Sequence, residues 1–288
     1  MLKDLIGKNI TAMVTDENEQ YIFAQKDGLT FRLAKAELLK LPKLGAMVSG
    51  FAYENEDHEL QLTKKQPKSG FYRYAWGSVK KVQRGLGVFV DIGLPNKDVV
   101  VSADELPELQ NLWPKQGDQL MIALKVDEKG RLWGELATTE MFKAIQVAAT
   151  KKMMNRDVTA TVYRLKLVGT YVITDDYQLG FIHPSERDLE PRLGEKVKAR
   201  VIGVRPDGTL NLSLRPRAYE AIGDDAQMLL AALEHSLDGS LPFTDKSDPT
   251  AIKAYFGISK GQFKRAVGHL MKAGVVVQRD GHLYLVKK

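Results

Sequence analysis

Apolar and polar residues alternate with a period of two over much of the first 215 positions. Val158, Ala160 and Val162 interleave with Thr159, Thr161 and Tyr163, the pattern of a strand with one buried face and one wet face. Three segments also close alike. Gly45-Ala46-Met47-Val48 leads to Phe51-Ala52-Tyr53 and then to Leu60-Gln61-Leu62-Thr63. Gly117-Asp118-Gln119-Leu120 leads to Ala123-Leu124-Lys125-Val126-Asp127 and then to Gly130-Arg131-Leu132. Gly194-Glu195-Lys196-Val197 leads to Ala199-Arg200-Val201 and then to Gly208-Thr209-Leu210-Asn211-Leu212-Ser213-Leu214. Each reads as a turn glycine, an alternating strand, a tight polar turn and a last strand. Two of the units carry a further glycine-led strand, Gly87-Val88-Phe89-Val90-Asp91-Ile92 and Gly169-Thr170-Tyr171-Val172-Ile173. About five short strands in ~60–70 residues predict a small closed Greek-key barrel. The pattern occurs three times.

The repeats place barrels over residues 1–66, 67–139 and 155–216. Met141, Ile145, Ala148 and Ala149 recur at helical spacing, which predicts a connecting helix over 140–154. From 217 to 288 the texture changes. Asp224 to Glu234 is helical in period, and Asp248-Pro249 is an N-cap with proline at the first helical position. Gly257 is placed to end that helix. Ser259-Lys260-Gly261-Gln262 fits a capping box and opens a helix with the core stripe Phe263, Val267, Leu270 and Met271. A strand from Val275 to Arg279, the turn Asp280-Gly281 and a strand from His282 to Val286 complete a winged helix-turn-helix. The predicted fold class is multidomain and mainly β: three consecutive five-stranded barrels followed by an α+β winged-helix domain.

Composition narrows the function classes. At 44% hydrophobic and 27% charged the chain has the balance of an ordinary globular protein and not of a disordered one. Cysteine is absent, which excludes disulfides, thiolate metal sites and cysteine nucleophiles and fits a reducing compartment. Acidic and polar residues stand in Met1–Gly7 where a signal peptide needs an apolar run. No stretch has the ~18 apolar residues of a membrane span. A cytoplasmic location is expected. The net charge is +6, with the basic excess lying wholly after residue 66, and such a charge is compatible with a polyanionic partner. The five histidines, His58, His183, His235, His269 and His282, are scattered, and neither an HExxH nor a phosphate-cradling glycine loop occurs. No catalytic residue, metal or cofactor is expected, and the chain is read as not an enzyme.

The third repeat carries Gly169-Thr170-Tyr171-Val172, then Gly180-Phe181-Ile182-His183-Pro184-Ser185-Glu186, then Gly194-Glu195-Lys196-Val197, and closes with Leu210-Asn211-Leu212-Ser213. Several elements in this order and spacing resemble the S1 RNA-binding domain, a barrel of the OB type. The second repeat shares Val79-x-x-Val82, the Gly87–Ile92 strand and Asp127-x-x-x-Arg131. The first is divergent, keeping little beyond Tyr21 and the Gly45 segment. Three S1-like barrels followed by a winged helix resemble the conserved virulence factor B family of Firmicute bacteria over essentially the whole chain. That resemblance implies RNA binding with a regulatory, post-transcriptional outcome.

On a strand, Val90 and Ile92 share one face, so Phe89 and Asp91 share the other. A carboxylate there marks that face as wet, so Phe89 is expected to point outward, where S1-like barrels stack a ring on an unpaired base. The rival reading covers the ring with a neighbouring domain. Tyr171 is the equivalent residue in the third repeat, and Phe181 and His183 lie where S1 domains present groups to RNA. The position matching His183 in the second repeat falls at Ser102. Lys80, Lys81 and Arg84 precede Phe89 as Arg164 and Lys166 precede Tyr171, and Arg131 closes the second repeat; such cations can hold phosphates. Lys260, Lys264, Arg265, His269 and Lys272 lie largely off the apolar stripe of the last helix and could meet a nucleic-acid backbone. The expected partner is single-stranded RNA bound with low sequence specificity, with a DNA or protein partner possible at the winged helix and no membrane. Two rivals stay open: an adaptor docking on a ribonuclease, ribosome or polymerase, and a DNA-binding regulator led by the winged helix.

Overall fold

In β1 (Asn9–Glu17) the alternation becomes geometry, with Ile10, Ala12 and Val14 buried and Asn9, Thr11 and Met13 exposed. The structure is a computed structural model that describes residues 2–216 and 218–286. A one-turn helix α1 (Leu2–Leu5) precedes a barrel of β1, β2 (Tyr21–Lys26), β3 (Leu29–Ala34), β4 (Met47–Glu54) and β5 (Leu60–Thr63). The second barrel holds β6 (Ala75–Gln83), β7 (Gly87–Asp91), β8 (Val99–Ser102), β9 (Gln119–Val126) and β10 (Leu132–Leu136). Helix α2 (Thr139–Ala144) leads to the third, formed by β11 (Asp157–Lys166), β12 (Gly169–Thr174), β13 (Leu179–Ile182), β14 (Lys196–Val204) and β15 (Leu210–Ser213).

All three barrels close with the same topology, order 1-2-3-5-4 with the fourth strand returning to the first. In each, the third and fifth strands pair parallel and the other neighbours antiparallel. A register shift interrupts the first strand of each barrel, between Val14 and Asp16, Val79 and Lys81, and Val162 and Arg164. Such a bulge adds the local twist that a five-stranded closure needs. Gly87 and Gly169 open the second strands with φ of 143° and 147°. A Cβ at Gly87 would lie 1.9 Å from the Val101 carbonyl oxygen, and one at Gly169 would lie 2.6 Å from that of Ile182. Only glycine fits there.

The first two barrels share one hydrophobic core, and the third keeps its own. Between the second and third, Phe142 on α2 packs with Met121, Ile173 and Leu179. The helix expected over 140–154 is shorter, since α2 stops at Ala144 and only a 3-10 turn, Lys151–Met153, follows. The segment between them is held out of the helix by tertiary bonds, Val147 N–H to the Tyr177 carbonyl and Ala149 N–H to that of Gly208. Long-range pairing overrides the local helical period here.

The second compact unit, Arg215–Lys288, has a separate core. It contains α3 (Ala218–Glu234), α4 (Pro249–Phe256), α5 (Lys260–Lys272) and a sheet of β16 (Ser240–Leu241), β18 (His282–Leu285) and β17 (Val276–Arg279) in that order. Asp248 accepts from the amides of Thr250 and Ala251, and Gly257 ends α4 in the left-handed region with φ 73°. The capping box at Ser259 and Gln262 is formed. Met271, expected in the core stripe, is 43% exposed, because Phe263, Ala266, Val267 and Leu270 already fill the buried arc of α5. Ser259→Ala should remove one of the two capping bonds and destabilise this unit by about 1 kcal/mol. A lower melting point for the C-terminal unit, with the barrels unchanged, is the expected calorimetric result.

Candidate nucleic-acid interface

The strand registers align the three barrels residue by residue. Tyr171 opposes Phe181 across β12 and β13, and Phe181 opposes Asn211 on β15. The same two steps join Phe89 to Val100 and Trp133 in the second barrel. In the first they join Phe23 to Arg32 and Gln61. Opposed residues share a face of the sheet, so each triplet forms one row on the face away from the barrel interior, although Gln61 in the first barrel is covered there. Across the bulge from the aromatic residue stand Arg164, Lys81 and Asp16 respectively.

In the third barrel the row is aromatic and basic. Tyr171 and Phe181 are half-buried and meet edge to face, with ring centroids 5.2 Å apart. The exposed His183 ring lies 6.5 Å from that of Phe181. Lys166 Nζ sits 5.7 Å from the Tyr171 centroid, within cation–π range. Arg205 lies 5.2 Å from the Phe181 centroid and donates from Nε to Asn211 Oδ1 at 2.9 Å. His183 Nδ1 accepts the Ser185 amide at 3.2 Å and caps the following 3-10 turn. A neutral ring accepting at Nδ1 carries its proton on Nε2, which makes that edge a donor. Arg164 is exposed but turned toward α2, donating to Thr139 Oγ1 at 2.7 Å.

Phe89 of the second barrel is half-buried, while Val88, Val90 and Ile92 are fully buried. The expected split of faces is present. Lys81 Nζ stands 5.5 Å from the ring centroid, whereas Lys80 pairs with Asp91 at 3.2 Å. The Gly93 amide, aided by Lys80, holds the Asp91 carboxyl below its ordinary value. Arg84 is exposed in the turn between β6 and β7. By register the position of His183 falls at Ser102, whose side chain caps the equivalent 3-10 turn. Arg131 pairs with Asp127 at 2.7 Å. Although desolvation acts to raise it, bonds from Arg131 and the Trp133 indole bring the Asp127 carboxyl down to about 2. It stays charged at any working pH.

The first barrel keeps a ring but not its charge. Phe23 is half-buried at the position of Phe89 and Tyr171, an aromatic that strand alternation could have marked. Its neighbour Arg32 is ion-paired with Glu59 and, at 3.7 Å, with Asp57. Asp16 replaces the cation at the bulge. The row is poorly suited to phosphates. Two further residues of the third barrel, Arg205 and Asn211, were also not marked by the sequence.

In the winged domain, Lys264, Arg265, His269 and Lys272 are exposed on α5 and Lys260 is half-buried. Arg265 lies near Asp225 of α3, whose carboxyl is raised chiefly by desolvation and lowered in part by Gln262 and that cation. In the β17–β18 hairpin, Arg279 lies 4.6 Å from the Tyr284 centroid. Among the described residues no His, Asp or Glu cluster could hold a metal, and no helix is long and apolar enough to cross a membrane.

Four family models match consecutive stretches of the chain. They are an S1 domain at residues 6–65, the CvfB first S1-like domain at 74–135, the second domain of the virulence regulatory factor CvfB at 142–216, and a CvfB-like winged helix domain at 227–285. Conserved virulence factor B of Staphylococcus epidermidis is 36% identical over 290 residues, covering 99% of this chain and 96% of that protein. An uncharacterized Bacillus subtilis protein, YitL, is 38% identical over 278 residues, covering 96% and 93%. A crystal structure from Streptococcus pneumoniae, described as a multidomain protein with nucleic acid binding domains, matches with a TM-score of 0.70 at 49% identity. That match covers 98% of this chain and 99% of the other.

Proposed function

Because the chain belongs to the conserved virulence factor B family, we propose that it is a regulator that binds single-stranded RNA and acts after transcription. One observation carries this reading. Barrels two and three place a half-exposed ring at the same lattice position, each with a lysine ammonium 5.5–5.7 Å from its centroid. A ring offers its face to any base, and a neighbouring cation meets the phosphate of the same nucleotide. The combination favours an unpaired strand and gives little base specificity. Phe181, His183 and Arg205 widen the platform of the third barrel, and the exposed cations of α5 supply a further polyanion contact. Several weak sites on one chain then gain from effective concentration when one strand spans them. The matched families are nucleic-acid-binding regulatory domains, and no residue here is assigned a catalytic role.

The test is a salt titration of binding to unstructured RNA and to duplex DNA, read by fluorescence anisotropy. A strand meeting about five cations gives a log–log slope of roughly −3.5, with the duplex bound more weakly throughout. Tighter binding to duplex DNA, abolished by removing residues 215–288, would replace this reading with a winged-helix DNA regulator.

A further inference from the structure

Trp133 lies on the same row of the second barrel as Phe89, yet no binding role has been given to it. Its neighbours Leu132 and Gly134 are buried, and a Cβ at Gly134 would lie 2.8 Å from Ile122 Cδ1 in the barrel interior. Trp133 must therefore project from the opposite face of β10, the face shared with Val100 and Phe89 through the pairings Trp133–Val100 and Phe89–Val100. It is half-buried and absent from the barrel's hydrophobic core. An outward indole is a poor way to finish a strand, and the other barrels place the polar residues Asn211 and Gln61 at this position. The indole is also fixed. Its Nε1 donates to Asp127 Oδ2 at 3.2 Å, and the Arg131 guanidinium, paired to the same carboxylate, lies 5.4 Å from the ring centroid.

The second barrel lacks the two groups that flank Tyr171 in the third, having Val100 for Phe181 and Ser102 for His183. Its second aromatic stands one strand further over. In the third barrel, adjacent strands bring the rings into contact as one composite platform. In the second, Val100 separates them, so the anchors lie about 10 Å apart, two strand spacings. Each ring carries its own cation, Lys81 for Phe89 and Arg131 for Trp133.

We propose that Trp133 is a second base-stacking site on the second barrel, with Arg131 as its phosphate cation and Asp127 as the residue that positions both. This rests on the RNA reading above and adds what that reading leaves open, namely that this barrel holds two separate bases. Bases stacked in a strand rise by about 3.4 Å. Two bases about 10 Å apart cannot be stacked neighbours, so the strand is splayed across this face. Ligands whose bases unstack readily, such as oligouridylate, are preferred over oligoadenylate, whose bases stack on one another.

The test uses the full chain, oligouridylate and oligoadenylate of equal length, and two readouts. The protein has three tryptophans. Trp113 is buried, and Trp76 packs near Phe142 with ring centroids 6.0 Å apart. Titration with oligouridylate should quench a fraction of the tryptophan emission. Trp133→Phe, which keeps a ring but loses the bond to Asp127, should abolish that quenching and cost less affinity than Trp133→Ala, and Trp76→Phe should not abolish the quenching. Trp133→Ala should weaken oligouridylate binding about tenfold and narrow the preference over oligoadenylate. Quenching that persists in Trp133→Phe, or unchanged affinity in Trp133→Ala, overturns the proposal and leaves the RNA reading standing. Failure of the unmodified chain to bind either oligonucleotide overturns both. If Trp133→Ala does not fold, the phenylalanine variant still decides the matter.

Discussion

Alanine at both Phe89 and Tyr171 is expected to weaken binding to unstructured RNA by about a hundredfold. Each base–ring stack contributes about 1–3 kcal/mol, and each 1.4 kcal/mol is tenfold in affinity. The two rings lie on different barrels with no shared partner, so their effects should add. Each single substitution should therefore cost about tenfold. Two controls separate this from a folding defect. Both side chains are half-exposed, so the melting temperature should move by only a few degrees. The cations remain, so plots of log affinity against log salt should keep their slope and shift downward in parallel. Anisotropy with a labelled strand long enough to span both barrels measures all of this. Unchanged affinity in the double variant would make the rings surface packing and turn attention to protein docking.

Much of this interface is local enough to read from the chain. Alternation puts Phe89 opposite Val88 and Val90 whatever the partner strands, and the glycines at 87 and 169 announce a close approach that no Cβ survives. The capping box at Ser259 and the turn at Asp280-Gly281 are likewise local chemistry. What stayed hidden depends on which strand lies beside which. Arg205 and Asn211 reach Phe181 only because β13 pairs parallel with β15, a non-local contact that no spacing encodes. Trp133 joins Phe89 through two such pairings. Phe23 was hidden differently, since its acidic surroundings obscured an aromatic at the right step of the strand. The connecting segment shows the reverse error. Its helical period is present, but Val147 and Ala149 give their amides to tertiary bonds with Tyr177 and Gly208, and residues 147–149 form no helix.

The rings act together only if the barrels that carry them are held in place, and that makes Phe142 the residue to remove. Its side chain is 2% exposed and stacks on Tyr163 with centroids 4.1 Å apart, beside Trp76 of the second barrel. Tyr163 sits at the bulge of β11, where burial pushes its hydroxyl up to about 12, and its ring lies 6.4 Å from Tyr171. Phe142 thus wedges the second barrel against the strand that presents the third barrel's platform. The other contacts between these barrels include the buried Leu193, which joins the hydrophobic core of the second barrel, Arg192 to Asp118 at 3.2 Å and the Gln119 amide to the Gly194 carbonyl at 2.9 Å. Phe142→Ala should leave a cavity that costs about 3–5 kcal/mol, lowering the barrel unit's melting temperature by roughly 10 °C. A short oligonucleotide occupying one barrel should bind as before. A long strand should lose about tenfold, because the second contact no longer follows the first at a fixed geometry. This is the opposite signature to the ring variants, which lose affinity for every length and keep their stability. Equal loss on short and long strands would mean that Phe142 supports the platform of the third barrel itself and not the coupling between barrels.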